Sequence, residues 1–172
     1  MIFRLRLSLL VLIAALIAVP APARAQIDSG THTDIKAAFL LSFVKFTEWH
    51  SLAPATPLVM CVVGDQRVAN ALAEAVRGQR VRDRSLDGIL EACNLLFIST
   101  SHIRSASPVL DSLKRLPILT VSDSQGFARS SGIIELYVEA GRMRFAVNAG
   151  AGSRAGLGLS SRLLNLARIV GD

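Results

Sequence analysis

Residues 58–65 read Leu58-Val59-Met60-Cys61-Val62-Val63-Gly64-Asp65, an unbroken apolar run closed by a turn pair. The run is short for a helix, and its length and Gly-Asp stop fit a strand buried on both faces, the kind found in parallel sheets. Two similar runs follow, NLLFIS at Asn94–Ser99 and ILTVS at Ile118–Ser122. A helix is predicted between the first pair, from about Arg67 to Val76, with Ala69, Leu72, Ala73 and Val76 on one side. A second is predicted from about Ile103 to Leu116, with caps on offer from Ser99-Thr100-Ser101 and a stop at Pro117. Gln79–Arg84 alternates weakly and reads as a short extra strand. Strand–helix–strand alternation at these lengths implies crossover units and a mainly parallel sheet.

The rhythm changes after Asp123. A polar loop, Ser122–Gly132, contains Phe127, and two strands then read at Ile133–Tyr137 and Met143–Asn148 around Glu139-Ala140-Gly141. This is a hairpin with Gly at its turn. Met143, Phe145 and Val147 face one way, Arg144, Ala146 and Asn148 the other. A Gly-rich link, Gly150–Gly158, leads to a last helix from about Ser160 to Val170, capped by Ser160 or Ser161. The expected fold is α/β: a three-layer domain with a mixed, mainly parallel sheet flanked by helices, ending in a β-hairpin and a helix.

Upstream of the first strand, IKAAFLLSFVKFTEW at Ile35–Trp49 predicts a helix capped by Thr33 or Asp34. Ile35, Phe39, Phe43 and Phe46 share one stripe, while Leu40, Leu41 and Val44 form a second on another side. A surface helix needs one apolar face. The second stripe therefore either wedges the helix between two parts of its own domain or meets a partner protein. The expectation carried forward is that Leu40, Leu41 and Val44 are partner-binding.

The N-terminus has the layout of an export signal. Arg4 and Arg6 precede an apolar run from Leu7 to Val19, and Ala23-Arg24-Ala25 supplies small residues for cleavage before Gln26. The run is shorter than the ~20 residues a membrane span requires. The expected organisation is a cleaved signal peptide over 1–25 and a single domain over 26–172. The whole chain of 172 residues carries a net charge of +6. Removing 1–25 takes away three arginines and no acid, leaving 16 basic against 13 acidic side chains, a net +3. That charge is ordinary, and with aromatics at 5% it argues against a nucleic-acid partner.

No catalytic motif emerges. Gly150–Gly156 looks like a degenerate dinucleotide loop, but it lacks the following strand and the acidic residue that would grip a ribose. Ser153 has Ala151 and Ala155 where a nucleophile elbow needs glycines. His32, His50 and His102 are far apart in sequence, without metal-ligand spacing. Asp65 and Asp123 follow strand ends, where α/β proteins bind ligands but where Asp also serves simply as a turn or cap residue; the turn role is the expectation. The expectation is no catalytic residue, no cofactor and no metal. Cys61 and Cys93 are the only cysteines. An exported chain meets an oxidising compartment, and a bridge is feasible if their strands are neighbours. The alternative is two buried thiols acting as small hydrophobes. The bridge is the expectation.

In order, the pieces IKAAFLLSFVKFTEW, the strand into Gly64-Asp65, CNLLFIS, LTVSD, GFA at Gly126–Ala128, RFAVN and AGLGLSSRLLNLA at Ala155–Ala167 resemble the YfiR-like periplasmic proteins. The resemblance covers nearly all of the chain after residue 25. It implies a non-enzymatic regulator that binds the periplasmic part of an inner-membrane diguanylate cyclase, lowering cyclic di-GMP and biofilm formation. It also implies a homodimer and sensitivity to cysteine redox state. Some relatives carry a second cysteine pair, which this chain lacks. The alternative is a periplasmic small-ligand binder using the strand ends at Asp65 and Asp123; a secreted hydrolase would need a nucleophile–base arrangement that the sequence does not offer.

Overall fold

The computed structural model describes residues 29–53, 55–76, 80–83, 90–130 and 132–171. The export signal expected over 1–25 lies outside them. The chain enters through helix α1 (Ser29–Lys45) and a short strand β1 (Thr47–Trp49), then runs β2 (Val59–Val63), α2 (Gln66–Ala75) and β3 (Arg80–Asp83). A helical turn at Leu90–Ala92 leads into β4 (Leu95–Ile98), and another at Thr100–His102 into α3 (Ile103–Leu113). Next come β5 (Leu119–Ser122), α4 (Phe127–Ser130), and the strands β6 (Ile134–Glu139) and β7 (Arg142–Val147). The chain closes with α5 (Ala149–Arg154), β8 (Leu157–Leu159), α6 (Ser161–Leu166) and β9 (Arg168–Ile169).

One sheet has the order β3-β2-β4-β5-β6-β7-β9. Neighbours from β3 to β6 are parallel, β6 and β7 are antiparallel, and β9 runs parallel to β7. The expected mixed, mainly parallel sheet is what forms. The apolar runs are continuous because each strand is covered on both faces. Met60, Val62, Leu95, Phe97, Leu119 and Val121 turn toward α1 and α2. Their neighbours Cys61, Val63, Leu96 and Ile98 turn toward Ala106, Leu110 and Leu113 of α3. The alternation of a strand thus builds two cores, and these make the three layers.

Several boundaries differ from the sequence expectation. The first helix starts at Ser29, so Thr33 and Asp34 lie within it, and it stops at Lys45. Thr47–Trp49 leaves the helix to pair antiparallel with Leu157–Leu159. The link expected at Gly150–Gly158 holds α5 and β8, with Asn148 accepting a bond from Ala151 N–H as the cap of α5. The last helix, capped by Ser160, ends at Leu166 rather than near Val170. There the backbone extends to place Arg168 and Ile169 beside Ala146 and Val147. At Thr47–Trp49 and Arg168–Ile169 remote backbone partners outweigh local helix periodicity. The hairpin forms as expected: Ala140 and Gly141, with φ of 48° and 73°, make the two-residue connection. Positive φ at both positions matches the right-handed twist of the strands.

Candidate functional site

The order β3-β2-β4-β5-β6 reverses direction between β2 and β4. In open α/β sheets, ligands bind outside the carboxyl ends of strands at such a reversal. Here that position holds a shallow depression of about 370 Å³ lined by Gly64–Arg67, Ser99–Ser101 and Asp123. Gly64 has φ +80°, and a Cβ there would sit 2.1 Å from His102 Nδ1. Only glycine lets the chain leave β2 this close to the turn after β4.

The two aspartates at this edge already have partners. Asp65 accepts a bond of 3.2 Å from Val68 N–H as the cap of α2. Asp123 accepts from both Thr100 N–H at 2.7 Å and Thr100 Oγ1 at 3.0 Å. It thereby caps the Thr100–His102 turn, whereas the caps expected here were Ser99-Thr100-Ser101; Ser99 makes no capping bond there. Lys36 of α1 reaches over both carboxylates, 2.5 Å from Asp123 Oδ2 and 3.7 Å from Asp65 Oδ2. Burial acts to raise the Asp123 carboxyl, but its bond and charge pairing with Lys36 and its Thr100 bonds outweigh this. The carboxyl ends below its ordinary value. The turn and cap roles expected of Asp65 and Asp123 are the observed ones. Lys36 was missed; its signal is a lysine inside an apolar helix, which must find a carboxylate or water.

Cys61 and Cys93 form a disulfide, with a Cα–Cα distance of 5.9 Å. β2 and β4 are indeed neighbours, and Cys93 sits just ahead of β4. Both cysteines are buried in the core beneath α3. The bridge joins the switch-point strand to the segment that leads into the next one.

The stripe expected to bind a partner is placed otherwise. Leu40 is 0% and Val44 7% exposed, both inside the chain's own core with Phe43, Phe145 and Leu163. Leu41 is half-buried against the same core. Of the two alternatives the helix presented, the wedge is the one realised for Leu40 and Val44. The reason is the width of the sheet: α1 lies over β7 as well as the central strands, with Phe39 and Phe43 rings 5.7 and 5.1 Å from that of Phe145.

Exposed apolar surface lies at the other end of the chain. Among the described residues the large exposed hydrophobics are Val138 (54%), Leu166 (75%) and Ile169 (53%). Val138 is the penultimate residue of β6, Ile169 lies in the edge strand β9, and Leu166 ends the helix that leads into it. β9 pairs with Ala146 and Val147, so among the described residues no strand lies along the outer edge of β7 from Arg142 to Phe145. Arg168 braces this margin through Glu139 at 2.7 Å and stacks 4.3 Å over the Tyr137 ring. Nothing local in the sequence marks these positions.

Taken together, this is a doubly wound α/β domain. Its switch-point edge is closed by internal ion pairs, and among the described residues its large exposed hydrophobics lie on β6, on β9 and on the helix that leads into β9. Comparison with protein families gives the particular one: a YfiR/HmsC-like family model matches residues 33–168, and the chain belongs to that family. No curated protein matches it.

Proposed function

We propose that this chain is a periplasmic regulatory binding protein that restrains an inner-membrane diguanylate cyclase through the cyclase's periplasmic domain, lowering cyclic di-GMP signalling and biofilm formation. The supporting observation is membership of the YfiR/HmsC-like family across residues 33–168. In this reading residues 1–25 direct export and are removed before Gln26, residues 26–172 act as one domain, and the product works as a homodimer by binding rather than catalysis. The β6–β7–β9 margin is assigned the partner contact, since exposed apolar side chains on soluble proteins mark interaction surfaces. The rival small-ligand role at the strand ends is disfavoured because Asp65 and Asp123 are engaged by Lys36 and by backbone N–H groups.

The test is co-purification of the exported protein with membranes from a strain carrying its cyclase. Retention of the cyclase by the wild-type chain, lost in Leu166→Asp and Ile169→Asp with unchanged circular dichroism, is the expected result. A wild-type chain that retains no cyclase, and whose deletion leaves cyclic di-GMP unchanged, overturns the reading.

A further inference from the structure

The sheet has a flaw that the proposed regulatory role does not use. β4 pairs with all four residues of β5, but β6 pairs only with Val121 and Ser122. Ahead of β6, Ile133 N–H bonds to the Thr120 side-chain oxygen at 3.1 Å instead of to a β5 carbonyl. Among the described residues, then, β6 leaves the first half of β5 unpaired on that side. Between α3 and α5 a cavity of about 610 Å³ opens there. That volume lies within the range of about 300–1,000 Å³ typical of small-molecule sites.

Its apolar floor is Leu110, Leu113, Ile118 and Ile133, all buried. Thr120 also lines it; its hydroxyl accepts from Ile133 N–H, and its own proton has no acceptor among the described residues. The rim is cationic. Lys114 and Arg115 come from just past the end of α3 and Arg154 from the end of α5, and among the described residues no acidic side chain lines the cavity. Lys114 is held by Asp111 at 2.6 Å. Arg115 and Arg154 have no carboxylate at ion-pair distance among the described residues.

We propose that this cavity binds a small amphipathic organic anion, its apolar body on the leucine–isoleucine floor and its anionic head against Arg115 and Arg154. The apolar body of the ligand gains by leaving water for this lining, and a guanidinium suits a planar or tetrahedral oxyanion through paired N–H donors. The site is separate from the β6–β7–β9 margin and does not depend on the partner reading.

The test is a titration of the purified chain with 1-anilinonaphthalene-8-sulfonate, followed by displacement with decanoate and, separately, with uncharged decanol. Saturable fluorescence is expected, with decanoate displacing the dye more effectively than decanol. The double variant Arg115→Glu/Arg154→Glu replaces exposed side chains and should keep its urea midpoint while losing about tenfold or more in decanoate affinity, equivalent to about 1.4 kcal/mol. Ala151→Phe, which projects a ring from α5 into the cavity, should weaken decanoate and decanol alike. Non-saturating fluorescence, or decanoate affinity unchanged in both variants, overturns the proposal.

Discussion

Lys36 Nζ, in the second turn of α1, lies 2.5 Å from Oδ2 of Asp123 at the end of β5, across 87 positions of sequence. This pair, with Asp65 at 3.7 Å, ties the first helix to the carboxyl edge of the sheet. Both side chains are mostly covered, at 18% and 19% exposure. Screening by solvent is therefore weaker than for a surface pair, and loss of one partner strands the other.

The pair makes stability acid-sensitive in a defined direction. Asp123 titrates below its ordinary value in the folded chain. Its contribution is then fully present above the unfolded carboxyl value of about 3.9, and it is lost as pH falls through the lower folded value. Asp123→Asn should cost about 1–3 kcal/mol at pH 7, and the gap from wild type should close at the acid end. Urea denaturation at a series of pH values measures this; a gap that stays constant down to pH 2 contradicts the assignment.

The Cys61–Cys93 bridge spans 32 positions. Closing a loop of that size in the unfolded chain corresponds to about 3–4 kcal/mol in the entropic account. Reduction, or the Cys61→Ala/Cys93→Ala double variant, should lower stability by up to that amount without changing the fold. Alkylation without reductant, read by mass spectrometry, should label neither sulfur in protein from an oxidising compartment. Two labelled thiols would refute the bridge.

Val44→Asp and Leu40→Asp should unfold the domain, each placing an unpaired carboxylate in the core beneath α1, at a cost of several kcal/mol. Leu166→Asp, at a position 75% exposed, should leave the melting temperature within a few degrees of wild type. Circular dichroism melts separate the two classes. A folded, stable Val44→Asp protein would return that stripe to the surface.

Gly64→Ala should destabilise by about 1–3 kcal/mol, because the residue has φ +80° and a Cβ would collide with the His102 ring and the Ser99 hydroxyl. His102→Ala should relieve part of the collision but none of the backbone strain. A double variant as stable as wild type would show that the strain is negligible.

Much of the layered core was legible in the chain itself. LVMCVV, NLLFIS and ILTVS each carry enough apolar residues to declare a strand covered on both sides, and the intervening helices carry their own faces. Those signals are local, so they survive without knowledge of neighbours. Asp65 and Ser160 likewise announce the helices they cap, because the capping bond reaches only three residues along the chain.

Other features had to wait for the tertiary structure. β1, β8 and β9 are two or three residues long and take their backbone partners from far away, so no periodicity marks them. The fate of Leu40 and Val44 depended on how wide the sheet is and whether α1 covers β7, which helix periodicity cannot encode. Lys36, Asp65 and Asp123 meet only because β2 and β5 end at the same edge beneath the start of α1. The sequence determined which segments must bury apolar surface; the order of strands in the sheet decided which faces were left uncovered, because burial belongs to the assembled layers and not to any one segment.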